Sequence, residues 1–487
     1  SRRAGGRRQL APISRPPAPG ARLPPPQGAR TARVKRTSSG GGAGTRAPGT
    51  SPAREWVPVA LRPQTRLPPP MRALVVGAGA WGAPCAARLA SAAGVRSVTL
   101  IDATGVGAKK MASGSSSGPT RIYRLAHSDR ARVRLAVRAL DSWKRWSRES
   151  GVELLGARGL LWRSDADRVA AVAAALTAEH IPHTPVPAAD VARFMPGLAP
   201  DGRPATWHPD AGFVWAAKAL EAYMHAFARA GGELLTGPAS RVTSLTLRSS
   251  GDGVVAALAG GGEVTADVAV LAPGAGAGTL INGFLAQPGA DGHDIRSLAF
   301  TPRLQLTAHF RERSCGAPAP TADATDAHPC FIDGAPAHDP TMIMYAMPTP
   351  GIGYKAGIDA AVDSALGPAA WADPAPPVDA GALATLVDRV TACLPGLHPA
   401  PVDAAVCTWT DSPDGRFVVG DASGDGRVIV AAGCGGEGFK FSPLVGDVLA
   451  GMARGRQAGG DDDDDVWAPA RFAGGAGVVR AARVLGD

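Results

Sequence analysis

Arg72-Ala-Leu-Val-Val-Gly77-Ala-Gly79-Ala-Trp-Gly82 is a short apolar run that ends in spaced glycines; the Ala-rich segment Ala83 to Ala93 and then Ser97-Val-Thr-Leu-Ile-Asp102 follow it. Strand, glycine turn, helix, strand and acid, in that order, make the complete βαβ fingerprint of a dinucleotide site. Gly77 permits the tight turn, Gly79 lets the backbone approach a pyrophosphate, and Gly82 lets the helix pack on the strand. Ala80 and Trp81 lie between them, at the helix N-terminus whose positive end the phosphates need. Asp102, 20 residues past Gly82, stands where a carboxylate accepts a ribose hydroxyl. FAD and NAD both use this motif, so the rest of the chain must choose between them.

No regular series of further βα units follows Asp102. A Gly/Ser loop, Ala112 to Thr120, precedes an amphipathic pattern that predicts a long helix from about Asp129 to Ser150. A second parallel strand with a glycine stop, Asp267 to Gly274, comes much later. A third, Arg427 to Gly433, opens the turn Gly433-Cys-Gly-Gly-Glu-Gly438 and a helix from about Ser442 to Met452. A nucleotide-binding sheet assembled from such distant pieces suits a large cofactor lying across the domain, with the last turn aiming a helix N-terminus at its far end. The inserted segments Gly156 to Arg163, Phe300 to Phe310, Thr341 to Met347 and Gly351 to Ile358 read as antiparallel strands that roof the cofactor.

The expected fold class is therefore α/β plus α+β: a Rossmann-like FAD-binding domain with a parallel central sheet, and a discontinuous antiparallel-sheet substrate domain. The expected boundaries are a leader over 1–70, the FAD-binding domain over 71–155, 216–285 and 395–456, the substrate domain over 156–215 and 286–394, and a C-terminal tail over 457–487. The stretch from Pro288 to Pro329, outside its strand, reads as surface insertion, and Asp461 to Asp465 as a solvated acid run.

The chain has 487 residues and a formal net charge of +9, which would ordinarily suggest a polyanionic partner. Residues 1–70 hold 14 Lys+Arg against one acid, Glu55; taking these from the totals of 51 and 42 leaves 37 bases and 41 acids for the rest. The body is thus slightly acidic, and no nucleic-acid partner is expected of it. The first 70 residues also hold 14 of the 44 prolines, a composition expected to be disordered. Three readings of this leader stay open: a start at Met71, an organelle transit peptide, or a basic tail. The six cysteines show no CxxC, which points to a reducing compartment without disulfides or a metal site. The expected location is cytoplasmic, or organellar if the leader is a transit peptide. Ala73 to Val95 is apolar, but its Gly, Pro and Arg content argues against a membrane span.

Gly77 to Gly82, Gly114-Ser-Ser-Ser-Gly-Pro-Thr-Arg121-Ile-Tyr-Arg124, Tyr345-Ala-Met-Pro with Gly353-Tyr-Lys355-Ala-Gly357, Ala405-Val-Cys407-Thr-Trp-Thr410 and Gly438-Phe-Lys440-Phe-Ser442 occur in an order that resembles the D-amino-acid-oxidase superfamily. Within it the chain is similar to the monomeric sarcosine oxidase, N-methyltryptophan oxidase and pipecolate oxidase group over about residues 71–455. The resemblance implies FAD as cofactor, a small amino-acid substrate, O2 as electron acceptor, a monomer, and oxidation of a secondary or N-methyl amino acid to an imine with release of H2O2. A dehydrogenase of the same fold using another acceptor, and a flavin-binding protein without amine chemistry, stay open as alternatives.

The resemblance also assigns roles. Arg124 and Lys440 match the carboxylate-binding pair, in which the Arg fork gives bidentate geometry and Lys adds a point charge. Arg121 matches an arginine packed near the flavin ring, Lys355 the lysine that promotes reaction with oxygen, and Cys407 the cysteine that carries FAD through a thioether. Lys355 falls in an apolar strand, where a charge is expensive without a partner or a task. Ser117, Thr120, Val242, Gly274, Gly435 and Gly438 complete the implied cofactor shell. Ser117, Trp409, Asp359 and Glu437 stand where the family has His, Tyr, His and His. The cofactor apparatus is thus retained and the substrate shell rewritten. Trp409 and Tyr345 are candidates for an aromatic wall around an amine, and Asp359 for attracting a cationic one.

Overall fold

The computed structural model describes residues 70–106, 114–287, 297–313, 324–334, 343–358 and 377–455, all within the unit Leu67–Asp487. Asp359, the leader to residue 69, residues 288–296 and 314–323 of the insertion, and the C-terminal tail with its acid run lie outside the described residues.

The fingerprint stretch forms β1 (Met71–Val76), α1 (Gly82–Ala90) and β2 (Val95–Asp102). Both faces of β1 are covered, which is why it reads as continuous apolar sequence. Ala73 and Val75 join the core shared with α1, and Leu74 and Val76 the core on the opposite face. β1 is central in a six-stranded sheet of order β19-β20-β13-β1-β2-β9, completed by β9 (Glu233–Thr236), β13 (Val268–Leu271), β19 (Val418–Asp421) and β20 (Val428–Ala432). All its pairings are parallel except the β19–β20 edge.

One face carries α1, α2 (Arg130–Ser150), α5 (Ala216–Arg229) and α8 (Ser442–Ala453). The α2 helix starts where the pattern predicts because Asp129 caps it, its side chain accepting from Ala131 N at 3.0 Å, and it stops at Gly151 with φ 69°. The other face is covered by α6 (Ala277–Leu285) and a three-stranded antiparallel sheet of β10 (Val242–Leu247), β11 (Val254–Leu258) and β12 (Glu263–Ala266).

The second large sheet has eight strands in the order β18-β14-β17-β16-β15-β5-β7-β6: β5 (Leu160–Arg163), β6 (Thr184–Val186), β7 (Ala205–His208), β14 (Thr301–Phe310), β15 (Cys330–Asp333), β16 (Met344–Thr349), β17 (Gly353–Ile358) and β18 (Asp403–Asp411). Helix α7 (Ala380–Cys393) packs on the face away from the nucleotide sheet, and α4 (Val191–Phe194) joins the same core. Helix α3 (Ala166–Ala178) contributes to the large core on the near face. A small sheet, β3 (Thr120–Tyr123), β8 (Gly212–Trp215) and β4 (Leu155–Ala157), bridges the two halves. Segment 395–456 supplies strands to both large sheets, β18 to one and β19 and β20 to the other.

One expected strand is corrected. Gly156 to Arg163 is two strands in two different sheets, β4 and β5, and β5 pairs parallel with β15. The break is at Gly159, whose φ of 72° leaves the strand region and where a Cβ would lie 2.1 Å from the Trp207 ring. The strand expected from Gly351 begins at Gly353, after the turn at Gly351.

Candidate active site

The loop between β1 and α1 is shaped by what cannot be placed there. Gly77 has φ 100°, and a Cβ on it would sit 2.2 Å from Ala272 O; a Cβ on Gly82 would sit 1.8 Å from Gly77 O. The loop is tied down by Gly77 N donating to Ile101 O at 2.7 Å and Ala78 N to Asp102 Oδ2 at 2.8 Å. Asp102, buried at the end of β2, also accepts through Oδ1 from Thr104 N and Oγ1, at 2.9 and 2.8 Å. Its carboxylate therefore braces the turn as well as standing at the ribose position. Across the loop, Ala80 N donates to Ser116 Oγ at 2.9 Å, and the Trp81 indole N–H donates to Gly438 O at 2.9 Å. The first glycine turn is thus pinned to the last one, 357 residues away.

A cavity enclosing about 1440 Å³ of atom-free space, part of it open to solvent, runs from this loop to the eight-stranded sheet. Of the residues singled out in the sequence, Gly79, Ala80, Trp81, Arg121, Arg124, Gly274, Tyr345, Lys355, Cys407, Trp409, Gly438 and Lys440 line it. Gly77, Gly82 and Asp102 hold the turn from behind. Ser117, Thr120 and Gly435 stand next to lining residues: the Ser117 hydroxyl donates to Gly114 O at 2.6 Å, the Thr120 hydroxyl bonds that of Thr349 at 2.7 Å, and Gly435 N donates to Thr410 O at 3.0 Å. Val242 packs at the start of β10 in the core on the far face of the nucleotide sheet. The glycine cradle at the start of α1 and the cations of the wall fit a dinucleotide bearing a redox ring.

Two charged groups meet above the loop at Gly118. The Arg121 guanidinium donates to the carbonyls of Thr120 (2.9 Å), Ser115 (3.2 Å) and Ser117, and lies 5.7 Å from the centre of the Phe439 ring. Lys355, in the middle of β17 and only 4% exposed, donates to the Thr120 carbonyl at 3.2 Å. Burial, then the Arg121 charge, pull its pKa down from 10.5 to about 7. Cys407 stands on edge strand β18 opposite Gln305 of β14, both facing the cavity. Trp409, two residues on and therefore on the same face, is buried and anchors its indole N–H on Asp411 Oδ1 at 3.0 Å. Tyr345 lies over Gly357, where a Cβ would meet its hydroxyl at 2.7 Å.

Arg124, Lys440, Glu437 and His127 form a second, buried cluster. Glu437 Oε1 is 3.4 Å from Arg124 Nη2 and 3.9 Å from Arg132 Nη1, and its Oε2 is 3.2 Å from Lys440 Nζ. Lys440 Nζ is also 3.1 Å from His127 Nε2. Burial lowers the Lys440 pKa to about 7 against the opposing pull of Glu437. Burial would raise Glu437, but Lys440, Arg132 and Arg124 outweigh it and hold the carboxyl well below its usual range. His127 is fully buried and held neutral by burial and by the cations around it. The Trp143 indole of α2 donates to the Lys440 carbonyl at 2.8 Å, which fixes the last turn against the helix. Asp447 of α8 takes no part in the cluster and binds Arg88 and Arg145.

His127, Gln305 and Ser116 were not singled out from the sequence, and Glu437 was noted only as a substitution. His127 follows Arg124 by three residues in a non-helical stretch, where no periodicity marks it. No group of three or more His, Cys, Asp or Glu suited to a metal occurs among the described residues.

Residues 72–452 match the family model described as FAD dependent oxidoreductase, DAO. The chain belongs to this family. The oxidoreductase is 27% identical over 401 residues to monomeric sarcosine oxidase of Streptomyces avermitilis, covering 78% of this chain and 92% of that one. It is 25% identical over 354 residues to human peroxisomal sarcosine oxidase, covering 69% and 81%. Among solved structures it is similar to NikD, described as an unusual amino acid oxidase essential for nikkomycin biosynthesis, in an open form: TM-score 0.65, 22% identity, 82% of this chain and 96% of that one covered. The oxidoreductase uses FAD and is of the amine and amino-acid oxidase type.

Proposed function

We propose that the oxidoreductase acts as a monomer on a secondary or N-methyl amino acid, removing hydride from the carbon beside nitrogen and releasing the imine to hydrolyse. FAD, when bound, accepts the hydride and passes the electrons to O2 as H2O2. The observation that carries this reading is the gathering of four cations in one cavity: Arg121 and Lys355 meet at Gly118, and Arg124 and Lys440 cluster around Glu437.

Arg124, Arg132 and Lys440 converge on Glu437, and cations gathered in this way suit the binding of a substrate carboxylate. Trp409, Tyr345 and Met347 supply an apolar wall that excludes water from the amine. Near neutral pH Lys355 exchanges its proton readily, which suits a group that meets oxygen, and the fixed charge of Arg121 remains at its side. Cys407 is the candidate for covalent FAD attachment.

Anaerobic mixing of the purified yellow protein with a panel of N-methyl amino acids, proline and pipecolate tests the reading. At least one should bleach the flavin band, and admission of air should restore it with stoichiometric H2O2. A flavin band untouched by the whole panel refutes the substrate class; bleaching that air does not reverse refutes the oxidase.

A further inference from the structure

The second cluster of the cavity already contains a carboxylate of the protein's own. Glu437 sits between two glycines, Gly436 and Gly438, in the turn before α8, and lines the cavity with its side chain only 10% exposed. Its two oxygens are divided: one toward Arg124 and Arg132, the other toward Lys440. Arg124 and Lys440 are themselves nearly buried, at 4% and 6% exposure, so little water competes for their N–H groups. An incoming anion therefore meets these cations partly neutralised.

We propose that Glu437 is a specificity-determining residue, an internal carboxylate that competes with the carboxylate of the substrate for Arg124 and Lys440. This deepens the amine-oxidase reading and rests on it for the word substrate, but not for the competition itself. Two anions in one buried cluster repel, so a ligand carboxylate must either share the cations with Glu437 or turn it aside. The site therefore discriminates less between amines with and without a carboxylate than the bare cation pair would. A substrate whose remaining groups grip the Trp409 and Tyr345 wall is favoured over the smallest carboxylate-bearing amines.

The experiment removes the internal carboxylate and offers an external one. Flavin-bound wild-type protein and the Glu437→Gln and Glu437→Ala variants are titrated with sodium acetate at pH 7, with sodium chloride holding ionic strength constant, and followed by flavin absorbance and by thermal unfolding. Acetate should bind both variants at least tenfold tighter than wild type, and should raise the unfolding temperature of Glu437→Ala more than that of wild type. Glu437→Asp, which keeps the charge, should stay within about threefold of wild type. Equal acetate affinity in wild type and Glu437→Gln overturns the proposal, as does tighter binding that Glu437→Asp shares. Because Gln preserves size and hydrogen bonding, it decides the matter if the Ala variant does not fold. None of these readouts needs turnover, so an inactive amine panel with a positive acetate result would refute the proposed activity and leave the internal carboxylate standing.

Discussion

Replacing Lys355 by Met should stabilise the protein, and by an amount that depends on pH. Lys355 is buried in β17 with its ammonium on one carbonyl, and its pKa falls from 10.5 in the unfolded chain to about 7 in the folded one. At about 1.4 kcal/mol per pH unit, that fall corresponds to about 5 kcal/mol of folding free energy lost to holding the charge. The sign follows from proton counting. Below about pH 7 both states carry the proton and the full cost is present. Between about 7 and 10.5 the unfolded chain binds the proton and the folded one does not, so stability rises with pH by about 1.4 kcal/mol per unit. Above 10.5 the cost is gone. Lys355→Met abolishes the titration and gives up one hydrogen bond, worth about 1 kcal/mol. Its advantage over wild type should therefore be about 4 kcal/mol at pH 6 and about 3 kcal/mol smaller at pH 9. Urea unfolding of flavin-free wild type and variant at pH 6, 7.5 and 9 measures it, with equal m-values as the condition for comparison. Lys440 titrates in both proteins and cancels. An advantage that is constant across the range, or larger at pH 9, refutes the assignment of a buried, titrating lysine.

Gly77→Ala forces a side chain into a positive-φ position 2.2 Å from the carbonyl of Ala272, the residue after β13, and should cost about 2–5 kcal/mol in urea unfolding together with most of the bound flavin absorbance. Cys407→Ala should release all the yellow colour into the supernatant on acid precipitation, whereas wild type should keep it in the pellet; colour released from both would refute the thioether. Asp333→Ala removes the fully buried carboxylate shared by Arg163, Arg203 and Arg389. It should cost about 3 kcal/mol, the lower end for a broken buried pair because Asp201 still reaches Arg163 at 3.3 Å, and a loss below 1 kcal/mol would show the cluster to be solvated.

The fingerprint from Arg72 to Asp102 was legible because every local preference there points one way: apolar run, positive-φ glycine, Ala-rich helix, second run. Helix α2 was legible for the same reason, with its cap and its glycine stop in sequence. The last turn was legible as a glycine-rich stop between a strand and a helix, whereas the wall residues Lys355, Cys407 and Trp409 came through resemblance, and the structure gathers them around one cavity. What stayed hidden was set by distance along the chain. The Lys440 and His127 pair spans 313 residues, and no local pattern announces such a contact. The parallel pairing of β5 with β15 is likewise invisible in two short runs that each look like hairpin strands. Sheet β10–β12, which covers one face of the nucleotide sheet, left a hydrophobic pattern too short and too interrupted to be counted as an element of its own.

The strand order of the six-stranded sheet also bears on how the protein is made. β1 emerges early from the ribosome and pairs at once with β2, but its other neighbour, β13, and then β20, come from far downstream. At ~5–20 residues per second, β20 follows β1 by roughly 20–70 s. Throughout that interval the nascent chain carries an unpaired, fully apolar strand edge, the kind of template on which chains aggregate. A chain that stops between Asp102 and Val428 has the nucleotide fingerprint but neither Lys440 nor a complete sheet, and the cell should meet it as a substrate for chaperones and proteases, never as a weak oxidase.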